Sequence, residues 1–558
     1  MGDSNKCCGV RFDLVRYGLH ITVFFREYRI FICSFLLRLV CILLLWAFMY
    51  LLVWPEGCSP GGPLFDTTCT VMFTGIVGTV LSKLIRIPSL PCIVAAGVLY
   101  NSIPSPGYLT AGLTPRIYMV VGMFGLAVGM IRAGLSINLV MLRKNWHRYL
   151  AFSIIPMLSE LILHAFVAKS MIGYPDLTWA MLHSSIVTSN APSVIVPIII
   201  ELQRSGYISK DGPGMMILAS VTLDTILAVW VIQLILAIRF NTMSLALAVG
   251  LGPLQVIGGI LVGVPFGYLL FFVVFRILLL ESERIALNVD GNMRMTERHF
   301  SNIRIMSFTV VLLLSLVVVA LGSFFTVLGW SSITVVTMTA VFSHLCVKKG
   351  GVEHMEVRTD LMLAYRTFWD YISMPALFGF AGAACDVRDL FSPSSLSVNL
   401  SCISIGLLAR FLLAVVVPWL LRMRFTFREL IFCGIAWIGK GPVQATFGSV
   451  PLALVQRQVN STTTSAEKGT GDIGHAKSVQ NCAVMTLLFA CPLCSILAVL
   501  LGPKLLRREI TVFDLPLVNE TKKEEMGKDD APAGGPTANS HGGGSTAQVA
   551  RVCNRGFR

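Results

Sequence analysis

The chain has 558 residues, of which 55% are hydrophobic and only 13% are charged. This composition is too apolar for an ordinary soluble domain and predicts a polytopic membrane protein, with the lipid bilayer as its surroundings. The formal net charge of +14 does not indicate a nucleic-acid partner, because its Lys and Arg residues lie in short loops between apolar runs, where cytoplasmic charge is expected.

Apolar runs long enough to cross a bilayer as helices, roughly 20 residues each, recur along most of the chain. The predicted fold class is therefore an all-α polytopic membrane protein with about 14 transmembrane helices. The predicted spans are 28–54, 64–82, 88–104, 115–137, 148–172, 178–202, 213–238, 254–280, 303–323, 326–346, 364–384, 397–420, 429–454 and 479–503.

Positive charge alternates between successive loops. Four of the loops assigned to the outer face, 55–63, 105–114, 173–177 and 324–325, contain no Lys or Arg. The distribution predicts that both termini are cytoplasmic.

Three regions follow from this topology. They are a cytoplasmic N-terminal segment (1–27), a transmembrane domain (28–505) and a cytoplasmic tail (506–558). The tail contains KKEE, GKDD and Gly/Ser/Ala-rich text, a composition typical of disorder.

Three ionisable residues, Glu160, Asp224 and Arg410, lie near the middle of predicted spans. A charge at the centre of a bilayer is costly and by default marks a functional site. Because the three residues lie at similar depth, we expect them to share one site. Burial disfavours the ionised form of a carboxylate. Asp224 has no basic residue in its own span and is therefore the candidate for a transport site.

A spacing is repeated in the two halves of the chain. Glu160 precedes Pro192 by 32 residues, and Arg410 precedes Pro442 by the same 32 residues. Each proline lies in a polar interruption, TSNAPS or GKGPVQ, and the two stretches enter the membrane from opposite faces. This pattern predicts inverted-topology repeats, each a charged helix followed by a broken one, and the broken helices are expected to cross near the midplane. The core repeats are about 148–238 and 397–503.

Structural roles are also open for several of these residues. Glu160 and Arg410 form either part of a transport site or a purely structural ion pair that holds the bundle together. Lys440 flanks the second interruption and either contributes directly or neutralises the negative end of a half-helix. His164 and His183 are expected to pack or to form hydrogen bonds.

Enzyme chemistry is not predicted. The segment GTGDIGHAKS (469–478) lies in a predicted outer loop and lacks the lysine of a phosphate-binding loop. No His/Cys cluster has metal-ligand spacing along the chain. We therefore predict no cofactor and no metal other than the transported cation.

The chain resembles the cation/proton antiporter superfamily, and most closely its NHA or mitochondrial-type sodium/hydrogen exchanger-like group. The resemblance covers about residues 64–505 and implies a homodimer formed through the first spans, with a core that moves against them. It also implies that Glu160 and Arg410 are a core ion pair and that Pro192 and Lys440 mark the crossing broken helices. The matching text is RAGL (132–135), IPMLSEL (155–161), NAPSVIVP (190–197), LDTILAV (223–229), LFGFAGA (377–383), ARF (409–411) and GKGPVQATFGSV (439–450).

The chain departs from the family at Thr225. Members of the family generally carry two adjacent acids, or Asn then Asp, where this chain has Asp224 and Thr225. Adjacent helical residues point about 100° apart, so Asp224 does not automatically occupy the place of the lost carboxylate.

The predicted function is secondary active exchange of a monovalent cation, Na⁺ or Li⁺ and possibly K⁺, for H⁺ by alternating access. Asp224 would bind the ion or the proton, assisted by the hydroxyls of Thr225 and Thr188 and the amide of Asn190. One shared carboxylate predicts exchange near one for one. The alternative is an exchange-inactive, transporter-like scaffold or regulatory membrane protein, in which Asp224 is a residual polar contact.

Overall fold

A computed structural model describes residues 54–507, together with a few positions between 44 and 51. The gaps within this range are 86, 104, 138, 208–211, 241–244, 279–296, 325–327, 350–351 and 462–465. The predicted segment 1–27, nearly all of the first predicted span and the tail from residue 508 lie outside the described residues.

The described part of the chain contains helices and no β-strand. Short π-helical turns follow α9 (Val273–Leu278) and α12 (Trp369–Ser373). The helices are α1 (Pro55–Cys58), α2 (Pro63–Ile85), α3 (Ser89–Ser102), α4 (Pro115–Ser136), α5 (Leu139–Ile172), α6 (Leu177–Thr188), α7 (Pro192–Arg204), α8 (Pro213–Arg239), α9 (Leu245–Phe272), α10 (Glu297–Phe324), α11 (Leu328–Lys349), α12 (Val352–Phe368), α13 (Met374–Ala383), α14 (Val387–Leu390), α15 (Pro393–Leu420), α16 (Phe427–Trp437), α17 (Pro442–Phe447), α18 (Val450–Ser461) and α19 (Ala466–Leu505).

Ten helical segments of the described chain are long and apolar enough to cross a membrane. Each coincides with a predicted span, and α3 supplies a shorter apolar helix at the predicted span 88–104. The predicted spans 364–384 and 429–454 are not among the ten. The first falls on α12 and α13, which are joined through a π-helical turn, and the second falls on a helix that is interrupted after Trp437. The protein is thus an all-helical polytopic membrane protein.

Proline begins both helices that follow an interruption. Pro192 is the first residue of α7, and Pro442 is the first residue of α17. Proline suits this position because its ring fixes a helical φ and its missing N–H has no intrahelical partner there. The two prolines therefore restart the chain after each break.

The helix that carries Glu160 packs closely against the helix that carries Arg410. α5 and α15 are in extensive contact, and Gly406 of α15 faces Glu160 and His164 of α5. A methyl group at Gly406 would lie 3.3 Å from the Cγ atom of Glu160 and 3.1 Å from the Nδ1 atom of His164. The missing side chain lets the two helices approach, and this places Arg410, one turn further along, beside Glu160.

The prediction that GTGDIGHAKS lies in a loop is wrong. Residues 469–478 belong to α19, which extends from Ala466 to Leu505. Asp472 anchors this polar segment to neighbouring helices. Its Oδ1 atom accepts hydrogen bonds from Trp179 at 3.2 Å and Arg239 at 2.9 Å. Contacts with α6 and α8 thereby stabilise a helical turn that the local sequence disfavours.

Candidate ion-binding site

Two interrupted helices meet inside the bundle. The first interruption separates α6 from α7 at residues 189–191, and the second separates α16 from α17 at residues 438–441. The N–H of Ala191 donates to the carbonyl of Gly439 at 3.1 Å. The amide of Asn190 donates to the carbonyl of Ala436 at 3.4 Å. The two breaks are therefore joined directly, one to the other.

The carbonyls at the end of α6 and just after it are satisfied by side chains from other parts of the chain. Gln444 of α17 donates to the carbonyls of Val187, at 2.9 Å, and Ser189, at 2.8 Å. The carbonyl of Thr188 accepts from Lys440 at 3.0 Å and from Arg410. A helix ends with unpaired carbonyls and a partial negative charge. The two basic groups lie where that charge is concentrated, and Lys440 thereby contacts the end of the first broken helix.

Four charged side chains form one network at this point, and all four are fully buried. Arg410 lies between the two acids: its Nη1 atom is 2.8 Å from Glu160 Oε2, and its Nη2 atom is 2.6 Å from Asp224 Oδ1. Lys440 Nζ lies 2.7 Å from Glu160 Oε1 and 2.8 Å from Oε2. Two positive and two negative groups cancel, so the network avoids the high cost of a net charge buried away from water.

The two carboxylates are held differently. Glu160 forms ion pairs with both Lys440 and Arg410, so two independent contacts hold its carboxylate in place. Asp224 has one ion pair with Arg410, and its second oxygen accepts the backbone N–H of Asn190 at 2.9 Å. If Asp224 released Arg410, the guanidinium would still contact Glu160 and the Thr188 carbonyl.

The other predicted binding residues lie around the first break. The hydroxyl of Thr225 donates to the carbonyls of Asn190, at 3.2 Å, and Val221, at 2.9 Å. The hydroxyl of Thr188 donates to Ser184 of its own helix at 2.7 Å, so the backbone carbonyl of Thr188 is the group that meets the charged network. The structure thus brings Asp224, Thr225, Asn190 and Thr188 together.

A cavity of about 140 Å³ opens beside the two breaks. Pro192 and Pro442 line it, and so do five residues that carry a hydroxyl: Ser136, Ser193, Thr222, Thr225 and Tyr365. Asp224 does not line the cavity, and its carboxylate contacts Arg410 and the backbone N–H of Asn190. The hydroxyls of Ser193 and Thr222 are buried and have no hydrogen-bond partner. Buried hydroxyls are normally hydrogen-bonded, so these two are unsatisfied polar groups next to the cavity.

Gln444, Ser193 and Thr222 were not predicted as site residues. Gln444 also accepts the N–H of Gly441 at 2.8 Å, which closes the first turn of α17. Its place three residues after Gly441 in GKGPVQ fits a helix-capping residue, and that signal was present in the sequence. Ser193 directly follows the break-marking proline, but nothing in the sequence distinguishes its hydroxyl from other buried serines.

Comparison with known proteins assigns the family. The model of the transmembrane sodium/hydrogen exchanger family matches residues 70–497. The chain belongs to the sodium/hydrogen exchanger family. The resemblance predicted from the sequence is therefore confirmed, and the protein is a membrane transporter of this family rather than an enzyme.

Two curated members of the exchanger family illustrate the similarity. Human sodium/hydrogen exchanger 9B2 is 27% identical over 473 residues, covering 84% of this chain and 79% of the relative. Human sodium/hydrogen exchanger 9B1 is 26% identical over 483 residues, covering 84% of this chain and 83% of the relative. In both comparisons the alignment extends over most of this chain and most of the relative.

The exchanger fold also matches a solved structure. The sodium/proton antiporter MjNhaP1 from Methanocaldococcus jannaschii superposes with a TM-score of 0.57 at 16% identity. The superposition covers 79% of this chain and 99% of the archaeal one. At this identity the similarity establishes a shared fold.

Proposed function

We propose that the protein exchanges a monovalent cation, Na⁺ or Li⁺ with K⁺ as a further candidate, for H⁺ by alternating access. The observation that carries the proposal is the position of Asp224, a fully buried carboxylate held between the break after Thr188 and a single guanidinium nitrogen of Arg410. Membership of the exchanger family supports the substrate class.

Asp224 is the exchangeable acid because Arg410 keeps other acceptors when it releases Asp224. An arginine does not lose its proton, so an Asp224 that has bound a proton or a cation no longer balances the charge of Arg410, and the two groups separate. Arg410 keeps Glu160 and the Thr188 carbonyl as partners after the separation. Glu160 and Lys440 in turn hold each other. The ion pairs among Glu160, Arg410 and Lys440 therefore persist through the cycle. Asp224 is the residue that moves.

The oxygen atoms near Asp224 suit a small hard cation. Its carboxylate, the Thr225 hydroxyl and the Asn190 carbonyl are already adjacent, and the Thr188 hydroxyl reaches the same region if it leaves Ser184. Oxygen-only ligand sets favour hard cations over transition metals. Because one carboxylate serves both ions, proton and cation exclude each other and exchange proceeds near one for one.

The chain order supports inverted repeats with two crossing broken helices within a 14-helix membrane domain. In each half a long helix carries a buried charge, Glu160 in α5 or Arg410 in α15, and is followed by a helix that breaks and restarts at proline. Opposed half-helices of this kind surround the substrate site of many secondary transporters. We further propose the domain division 1–27, 28–505 and 506–558, cytoplasmic termini and a homodimer formed through the first spans.

The direct test is pH-driven Na⁺, Li⁺ and K⁺ flux in proteoliposomes containing the full chain. We expect Asp224→Asn to abolish flux, because an amide can neither bind a proton nor balance a cation. Asp370→Asn is the matched control, because Asp370 has a side chain that is 48% exposed and pairs only weakly with Arg366 at 4.0 Å. Wild-type flux in the Asp224→Asn variant contradicts the mechanism.

A second candidate is an exchange-inactive scaffold. It is favoured by the hydrogen bonds that already engage both oxygens of Asp224 and by Thr225, which stands where the family usually has an acid. Thr225→Asp separates the two candidates. An inactive protein should gain cation flux from the restored acid, whereas a working exchanger should change its stoichiometry or its ion selectivity.

A further inference from the structure

Three side chains from three different helices meet on the side of α5 next to Glu160. They are His164 of α5, His183 of α6 and Cys482 of α19, and all three are fully buried. One nitrogen from each imidazole and the sulfur atom lie within 4.8 Å of one another. Nothing in the proposed exchange mechanism uses these groups.

The imidazoles are incompletely hydrogen-bonded. Neither ring nitrogen of His164 has a partner, and Nε2 of His183 has none either. Nδ1 of His183 lies 3.0 Å from the hydroxyl of Tyr174. With its proton on Nδ1, His183 donates to Tyr174 and presents the lone pair of Nε2. Metal-bound histidines are typically oriented in this way by a second partner on the remote nitrogen.

The distances and the donor atoms fit a metal ion better than direct hydrogen bonds. Ligand atoms that share one tetrahedral Zn²⁺ lie about 3.3–3.8 Å apart, given bonds of about 2.0–2.1 Å to nitrogen and 2.3 Å to sulfur. The cluster needs only a small contraction to reach this spacing. Two imidazoles and one thiolate select thiophilic transition metals, in contrast to the oxygen atoms around Asp224.

We propose that His164, His183 and Cys482 bind one thiophilic transition-metal ion, and that its charge favours Cu⁺ over Zn²⁺. A Cu⁺ ion with one thiolate and two neutral imidazoles has no net charge, whereas Zn²⁺ would leave one positive charge buried. His164 lies one turn from Glu160, whose ion-pair network is already neutral, so a neutral complex disturbs it least. The bound ion joins α5, α6 and α19.

The test measures metal content of the purified full chain, loaded anaerobically with Cu⁺ or separately with Zn²⁺ and then desalted. The background carries Cys7→Ser and Cys8→Ser, since adjacent thiols can bind Cu⁺ themselves. We expect one ion per chain. His183→Ala and Cys482→Ala should weaken binding by more than the roughly 10- to 100-fold typical of removing an outer-shell partner.

Cys92→Ala is the matched control, because Cys92 is buried but belongs to no such cluster in the described part of the chain. It should retain the ion. X-ray absorption of the loaded protein, with all three cluster residues intact, identifies the ligand atoms of the metal directly. This measurement therefore does not depend on whether a variant folds. One sulfur and two histidine nitrogens support the site. Three outcomes would each overturn the proposed metal site. The protein could retain neither ion, its spectrum could contain no sulfur ligand, or folded Cys482→Ala could bind the ion as well as the unsubstituted cluster does.

Discussion

Arg410 reaches Asp224 through one nitrogen of its guanidinium, Nη2, at 2.6 Å from Oδ1, while Nη1 serves Glu160 and the end of α6. A planar fork can serve two carboxylates at once because its donors diverge in fixed directions. The geometry therefore depends on the shape of the arginine as well as on its charge.

Arg410→Lys should fold but lose most exchange activity. A lysine ammonium keeps the positive charge but cannot hold Glu160 and Asp224 in the same fixed directions. We expect a cation flux at least about tenfold below wild type. The apparent affinity for the ion should change, whereas the melting temperature should stay close to that of wild type. Flux assays and melting curves in detergent check this together. Unchanged transport would show that only the charge matters.

Glu160→Gln should destabilise the protein strongly. The change leaves Lys440 and Arg410 as two buried cations against one anion, and breaking a buried pair typically costs about 3–5 kcal/mol. Adding Lys440→Met to the same chain restores charge balance, so we expect the double variant to melt at a higher temperature than Glu160→Gln alone. A double variant that is less stable than the single one contradicts the charge argument.

Gln444→Leu should loosen the junction of the two broken helices. The substitution preserves approximate size but leaves the carbonyls of Val187 and Ser189 without their Gln444 donors. An unsatisfied buried carbonyl costs about 1–3 kcal/mol. We expect a lowered melting temperature and faster amide hydrogen exchange at residues 187–191. Unchanged hydrogen exchange at these residues would contradict the structural role of Gln444.

Gly406→Ala should separate α15 from α5. The added methyl group would lie 3.1–3.3 Å from atoms of His164 and Glu160, which are held by dense packing. Overpacking of this kind costs about 1–3 kcal/mol. Gly474→Ala in α19 is the control, because a methyl group there meets no atom within 4 Å. That control should be neutral or slightly stabilising, since alanine favours helix. Equal melting temperatures for the two variants contradict the packing argument.

Local properties of the sequence singled out the breaks and the buried charges, namely the position of proline and the depth of a charge within a span. The structure places Pro192 and Pro442 at the restart of two helices, and it places Glu160, Asp224 and Arg410 in one buried network. The binding roles of Asp224, Thr225, Asn190 and Thr188 stay predictions.

Contacts between distant helices were less accessible from the sequence. Depth alone indicated that Arg410 meets an acid, but not that it meets both Glu160 and Asp224. The helix around Asp472 depends on Trp179 and Arg239, almost 300 and more than 200 residues away along the chain. Such contacts produce no hydrophobic periodicity in the amino-acid sequence from which they could be predicted.

The exact cancellation of the four buried charges bears on the energetics of a transport cycle. The site alone is neutral, so one bound proton and one bound sodium ion give it the same unit charge. If each crossing of the core carries one or the other, opposite crossings cancel, and the membrane voltage neither drives nor opposes the full cycle. Concentration gradients alone would then set the direction of flow, and clamping the voltage of a vesicle should leave its equilibrium pH difference unchanged.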